Sequence, residues 1–202
     1  MQQPISEIFP SHAVNEIDRA RAREYALLAT LLASSPDTQM MTRLAVLRGD
    51  ASPLGMAHGA LGAAAARTDE ESAKREYFNM FVGLGQGQLS PYASHYLTGS
   101  LYSRPLVRLR ETLQHLGIER TRRSEPEDHI AILCEIMAGL IDGSLVRADN
   151  ADRDFFQQHL ATWGRRFFVD LEQARLADFY GSVGSLGRIL MEIETEVYSL
   201  PV

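Results

Sequence analysis

The sequence predicts an all-α fold, a single compact multi-helix bundle interrupted by a long irregular loop near residues 83–100. Three observations carry this. Apolar residues recur in steps of three and four along most of the 202 residues, the spacing that places them on one helix face. Capping residues precede several of these stretches. No stretch alternates apolar and polar residues between hairpin turns, as half-buried strands would.

The elements follow in order. Val14, Ile17, Tyr25, Leu28, Leu31 and Leu32 form the stripe of a first helix. Ser34-Ser35-Pro36-Asp37 ends it, because the residue before a proline avoids helical angles. Met40, Met41, Leu44 and Leu47 mark a short second helix. Ser52-Pro53 reads as an N-cap with proline at the first helical position, opening an Ala-rich helix to about Ala66. Thr68-Asp69-Glu70-Glu71 reads as a capping box before a helix bearing Ala73, Tyr77, Met80, Phe81 and Leu84. Gly83-Leu84-Gly85-Gln86-Gly87, with Pro91 beyond, is too glycine-rich to continue it and begins the irregular loop. Leu106, Leu109, Leu113 and Leu116 mark the next helix, with Gly117 as its C-terminal cap.

A polar linker with Arg120, Arg122 and Arg123 leads to Ser124-Glu125-Pro126-Glu127, a second capping box. It opens a helix bearing Ile130, Leu133, Met137, Leu140 and Ile141. Phe156, Leu160, Trp163, Phe167 and Leu171 continue helically, with a bend expected at Gly164. Phe179, Val183, Leu186, Leu190, Ile193 and Val197 form the last stripe. Helical subregions of about 12–82 and 101–200 therefore flank the loop within one domain, 1–202.

Composition narrows the function. Hydrophobic residues make up 45% of the chain, as in an ordinary globular domain. The net charge of −6 speaks against a general nucleic-acid binder. Cys134 is the single cysteine, so an internal disulfide or a multi-cysteine zinc site is excluded. On the apolar stripe of its helix it reads as a buried thiol. No apolar run reaches the ~20 residues of a membrane helix, and the N-terminus lacks a basic start followed by an apolar stretch. A cytoplasmic protein is expected. No two of the six histidines have zinc-protease spacing, and no Glu stands three residues before a His. Metal ligands, catalytic residues and cofactors are not expected.

Two stretches stand out. In the first, Tyr77, Phe81 and Leu84 lead into the glycine run, and Pro91, Tyr92, Ser94 and Tyr96 follow it. Tyrosines offer apolar area together with a hydroxyl, which suits a peptide-binding surface. In the second, Glu125, Pro126, Glu127, Asp128 and His129 surround a helix start. These acids serve either as simple caps or as carboxylates for a basic ligand, with an Arg held bidentately by Asp128 or Glu127.

In order and spacing these motifs resemble the TorD/DmsD family of redox-enzyme maturation chaperones, related to the NarJ-type chaperones. The match is carried by Tyr77, Phe81 and Gly83, by Pro91, Tyr92, Ser94 and Tyr96, and by Glu125, Pro126, Asp128, His129 and Ile130. Phe155-Phe156-Gln157-Gln158-His159-Leu160-Ala161-Thr162-Trp163 matches a further family helix. Leu84 replaces a frequent proline, and Tyr92 a frequent tryptophan.

The resemblance implies a cytoplasmic chaperone that binds the twin-arginine signal peptide, or the precursor, of a molybdenum-cofactor oxidoreductase and delays its export. Tyr77, Phe81, Pro91, Tyr92 and Tyr96 would then wall an apolar groove. Asp128 and Glu127 would meet the arginines, and His129 would orient the acidic cluster. A monomer is expected. Domain-swapped dimers and weak guanine-nucleotide binding are implied by the resemblance alone. Two other readings stay open: a helical protein-binding scaffold, and a nucleotide-binding or hydrolysing enzyme using the Asp128–His129 region. The second lacks a phosphate-binding lysine, because Lys74, the single lysine, precedes the glycines inside a helix.

Overall fold

The computed structural model describes residues 15–83, 87–119, 125–145 and 148–200. Val14, Leu84, Gly85, Arg120, Arg122, Arg123 and Ser124, singled out above, lie outside the described residues. Among the described residues there are ten α-helices and no strand: α1 (Glu16–Ala33), α2 (Thr38–Ala45), α3 (Pro53–Arg67), α4 (Glu70–Tyr77), α5 (Ala93–Thr98), α6 (Arg104–His115), α7 (Ile130–Ile141), α8 (Ala151–His159), α9 (Gly164–Glu172) and α10 (Phe179–Ser199). A π-helical turn, Phe78–Val82, extends α4.

Local chemistry sets the helix starts. Asn15, Asp37, Ser52 and Asp69 accept hydrogen bonds from the amides of Asp18, Met40, Gly55 and Ser72 at 2.7–3.0 Å. Each such cap is worth about 1 kcal/mol. The cap of α4 is Asp69, one residue later than the capping box predicted. The Thr68 hydroxyl instead donates back to the Ala64 carbonyl at 2.9 Å. Gly117 ends the α6 segment at φ 66°, in the left-handed region where a side chain would be strained. The bend expected at Gly164 is a full break, with α8 ending at His159 and α9 starting at Gly164.

Helix α7 is the centre of the bundle. Every residue of it except Glu135 is buried, as expected of a helix apolar all round. Helix α1 lies along it, α8 packs beside it, and α10 joins α9 to α3. The α9–α10 crossing is close because Gly184 has no side chain. A Cβ there would stand 2.4 Å from the Glu172 amide nitrogen. A buried ion pair joins the first and last helices. The Arg21 guanidinium donates to both oxygens of Glu194, at 2.7 and 2.8 Å, and Glu194 is 0% exposed. Removing Arg21 would leave the buried Glu194 carboxylate without its guanidinium partner, which is costly.

The 83–100 segment is less irregular than its composition predicts, since residues 93–98 form α5. The helix predicted to open at Ser124–Glu127 opens instead at Ile130, with His129 as its N-cap. Both departures have one cause, a long-range pairing described next.

Candidate functional site

The two motif-rich stretches meet. Tyr92 and His129 form an isolated antiparallel bridge. The Ile130 amide donates to the Pro91 carbonyl at 2.8 Å, and the Ala93 amide to the Asp128 carbonyl at 3.0 Å. This backbone pairing holds His129 extended after a turn at residues 126–129, so α7 begins only at Ile130. The Asp128 carboxylate then accepts from the Ser94 amide at 2.8 Å. Tyr92 offers α5 no side-chain cap, so Asp128 supplies one from across the fold.

This changes the reading of Asp128. It is 1% exposed and Ser94 is 0% exposed. The carboxylate faces a helix start rather than solvent, so its geometry is that of an internal clasp and not of a surface contact for arginine. His129 is likewise buried. Its Nδ1 accepts from the Ala131 amide at 3.1 Å, which places the ring proton of the neutral form on Nε2. The ring meets Tyr92 edge-on at 5.1 Å.

The accessible chemistry lies just before the clasp. The Tyr92 hydroxyl donates to Glu125 Oε2 at 2.6 Å. Burial, followed by the Glu125 charge, pushes the Tyr92 hydroxyl well above the usual tyrosine range, so it stays a donor. Glu127 accepts from the Arg110 guanidinium at 2.9 Å. Tyr102, Arg110, Gln114, Glu119, Glu125 and Glu127 line an open cleft of about 740 Å³, the scale of a ligand pocket. Pro126 lines it as well.

Tyr102 was missed from sequence. It sits at φ 55° and is 71% exposed. A left-handed backbone at a bulky aromatic is rare and costs of order 1 kcal/mol or more. Here it holds a ring at the cleft wall. Nothing in the local sequence marks that conformation.

Tyr77 ties α4 to the end of α1. Its hydroxyl reaches the last carbonyls of α1, Ala33 at 3.1 Å and Leu32 at 3.4 Å, groups a helix end leaves unpaired. Burial, and then the charge of Glu125, push that hydroxyl upward. Tyr77, Phe81 and Tyr180 pack as a trio with ring centroids 5.1–5.8 Å apart. Beside them a second cleft of about 810 Å³ opens between the α1–α2 link and α4, lined by Ala33, Ser35, Pro36, Tyr77, Phe78 and Asn79.

Tyr96 points elsewhere. Its hydroxyl donates to Asp170 at 3.0 Å, and its ring packs on Trp163 and Phe167, so it ties α5 to α9. Pro91 and Ser94 are buried behind the bridge. Cys134 is 0% exposed and burial pushes its thiol upward, away from the thiolate a nucleophile needs. Among the described residues no group of three His, Cys, Asp or Glu is placed to hold a metal. None of their helices is long and apolar enough to cross a membrane.

Fold and site together define a class: an all-helical protein whose two motif stretches pair through their backbones beside an open cleft. The nitrate reductase delta subunit family model matches residues 47–169, and the chain belongs to that family. It is 27% identical over 120 residues to a protein of Haemophilus influenzae named a probable Tat proofreading chaperone DmsD, covering 58% of this chain and 57% of that protein. It is 29% identical over 126 residues to a chaperone protein TorD of Vibrio cholerae, covering 57% of this chain and 56% of that one. The matched region thus spans less than two thirds of these relatives. A crystal structure of a putative redox enzyme maturation protein from Archaeoglobus fulgidus superposes with a TM-score of 0.57 at 21% identity, over 85% of this chain and 93% of that one. That likeness establishes the shared fold.

Proposed function

We propose that this chain is a chaperone of redox-enzyme maturation that binds the twin-arginine signal peptide of a cofactor-bearing oxidoreductase, typically a molybdoenzyme, and acts before export. Its work is binding rather than bond chemistry. The names borne by its relatives support the reading. The observation that carries it is the Tyr92–Glu125 pair at an open cleft lined by three carboxylates, Glu119, Glu125 and Glu127, against one guanidinium, Arg110. An arginine side chain is complementary to carboxylates in a planar, bidentate way, and a net charge of −6 favours encounter with a basic peptide.

The arginine contacts belong to Glu125 and Glu127 in this reading, with Asp128 and His129 holding the turn that presents them. Calorimetric titration with twin-arginine signal peptides tests it. Saturable binding that weakens when both arginines are changed to glutamine supports the proposal. Equal binding of both peptides would favour a general protein-binding scaffold, and absence of binding to any peptide would refute it.

A further inference from the structure

Among the described residues that line the acidic cleft, Arg110 alone is a cation. It reaches from α6 to the turn before α7. Its Nε and one terminal nitrogen both meet the same oxygen, Glu127 Oε2, at 2.9 Å. The Glu127 side chain is 20% exposed and the Arg110 side chain 57%, so the carboxylate is the covered partner and the guanidinium the accessible one. Two N–H groups of a planar fork on a carboxylate oxygen is the contact that an arginine of a bound peptide would make at this place. Helix α6 is anchored in the core by Leu106, Leu109 and Leu113, and an exposed ion pair adds little to that anchorage.

We infer that Arg110 is an internal stand-in for the ligand's arginine. It occupies Glu127 in the free protein and is displaced when a basic side chain of the partner binds there. This rests on the signal-peptide reading and adds a competitor built into the chain, which lowers affinity and sets selectivity. A peptide guanidinium presents the same fork and restores both N–H contacts to Oε2. A lysine ammonium is a compact point charge without a fork and recovers less than Arg110 gives up. Arg110 therefore weakens every basic ligand of this cleft, and weakens lysine more than arginine.

Peptide titration of the full chain tests this with four variants: Arg110→Gln, Glu127→Gln, the two together, and Arg108→Gln. Arg108 lies two residues earlier on α6 and lines a separate cleft with His115 and His159, so its change matches the loss of charge without touching the pair. Arg110→Gln should bind a twin-arginine signal peptide about two- to fivefold more tightly, the worth of an exposed ion pair. Its Tm should stay within roughly 2 °C of the parent. The gain should be larger for the peptide with both arginines changed to lysine, so the preference for arginine narrows. Arg108→Gln should leave both affinities unchanged. Glu127→Gln should weaken binding, and adding Arg110→Gln to it should restore nothing, because no carboxylate is left to uncover.

Unchanged or weaker binding by Arg110→Gln overturns the inference. So does an equal gain from Arg108→Gln, which would reduce the effect to overall charge, or a gain that persists without Glu127. An arginine-to-lysine preference that Arg110→Gln leaves as it was overturns the selectivity. In each of these cases, a parent that still prefers the arginine peptide to its glutamine version spares the signal-peptide reading. A parent that binds those two peptides equally defeats both.

Discussion

Replacing Asp128 separates a clasp from a contact. Its carboxylate accepts from the Ser94 amide at 2.8 Å, and both residues are at most 1% exposed. A buried hydrogen bond to a charged group contributes about 1.5–3 kcal/mol, and removing the acceptor leaves the amide unpaired. Asp128→Ala should therefore destabilise the protein by about 2–3 kcal/mol. For a chain of this size each kcal/mol lowers Tm by roughly 2–4 °C, so the drop is roughly 4–12 °C. Asp128→Asn keeps an acceptor oxygen and should lose about half as much.

Glu125→Gln, at the exposed turn, should stay within about 0.5 kcal/mol of the parent, since the amide oxygen still accepts from Tyr92. Calorimetric melting of the three variants, followed by peptide titration below the transition, reads both properties. The expected ordering is a large Tm loss for Asp128→Ala and a large affinity loss for Glu125→Gln. An Asp128→Asn protein with unchanged Tm and abolished peptide affinity would refute the clasp and place the carboxylate on the ligand.

Other expectations come from the core. Glu76, nearly buried, accepts from the amides of Asp178, Phe179 and Tyr180 at 2.6–3.2 Å and so caps α10. Glu76→Ala should cost about 3 kcal/mol or more in urea denaturation, and a change under about 1 kcal/mol would contradict that capping role. His159 is 8% exposed, bonded to the Thr112 hydroxyl at 2.9 Å, and burial pulls its pKa from 6.5 down to about 4. Because the fold favours the neutral ring, its contribution is complete above pH 6.5 and is lost as pH falls towards 4, by about 2–3 kcal/mol. The stability difference between the parent and His159→Gln should shrink across that window; a pH-independent difference would contradict the neutral buried imidazole. Gly184→Ala would drive a methyl into the α9 backbone. Despite the higher helix propensity of alanine, it should destabilise by about 1–3 kcal/mol in the same assay.

Much of the fold was legible because it is local. Stripes such as Leu106, Leu109 and Leu113 are buried as their spacing predicts, and Ser52-Pro53 starts α3 as read. The misses are non-local. Ser-Glu-Pro-Glu looks like a helix opening, yet the backbone of residues 128–130 pairs with residues 91–93, and that pairing delays α7 to Ile130. The same pairing supplies α5 with the cap its own sequence lacks, so a helix stands where composition predicts loop. Asp128 reads from sequence either as a cap or as a carboxylate for arginine, and only its burial against the Ser94 amide, set by the distant pairing, selects the cap. Tyr96 read with its neighbours, but its hydroxyl finds Asp170, 74 residues away. Tyr102 carries no signal at all, since its left-handed backbone is imposed by the turn into α6.

The central claim is that Glu125 receives an arginine of the partner peptide. A thermodynamic cycle tests it most directly: affinities of the parent and of Glu125→Gln for a signal peptide and for its version with both arginines changed to glutamine. The account predicts that each change alone weakens binding about tenfold or more, and that Glu125→Gln weakens the arginine-free peptide little further, because the partner of Glu125 is already gone. Losses that simply multiply would show that the arginines are held elsewhere on the protein and contradict the account.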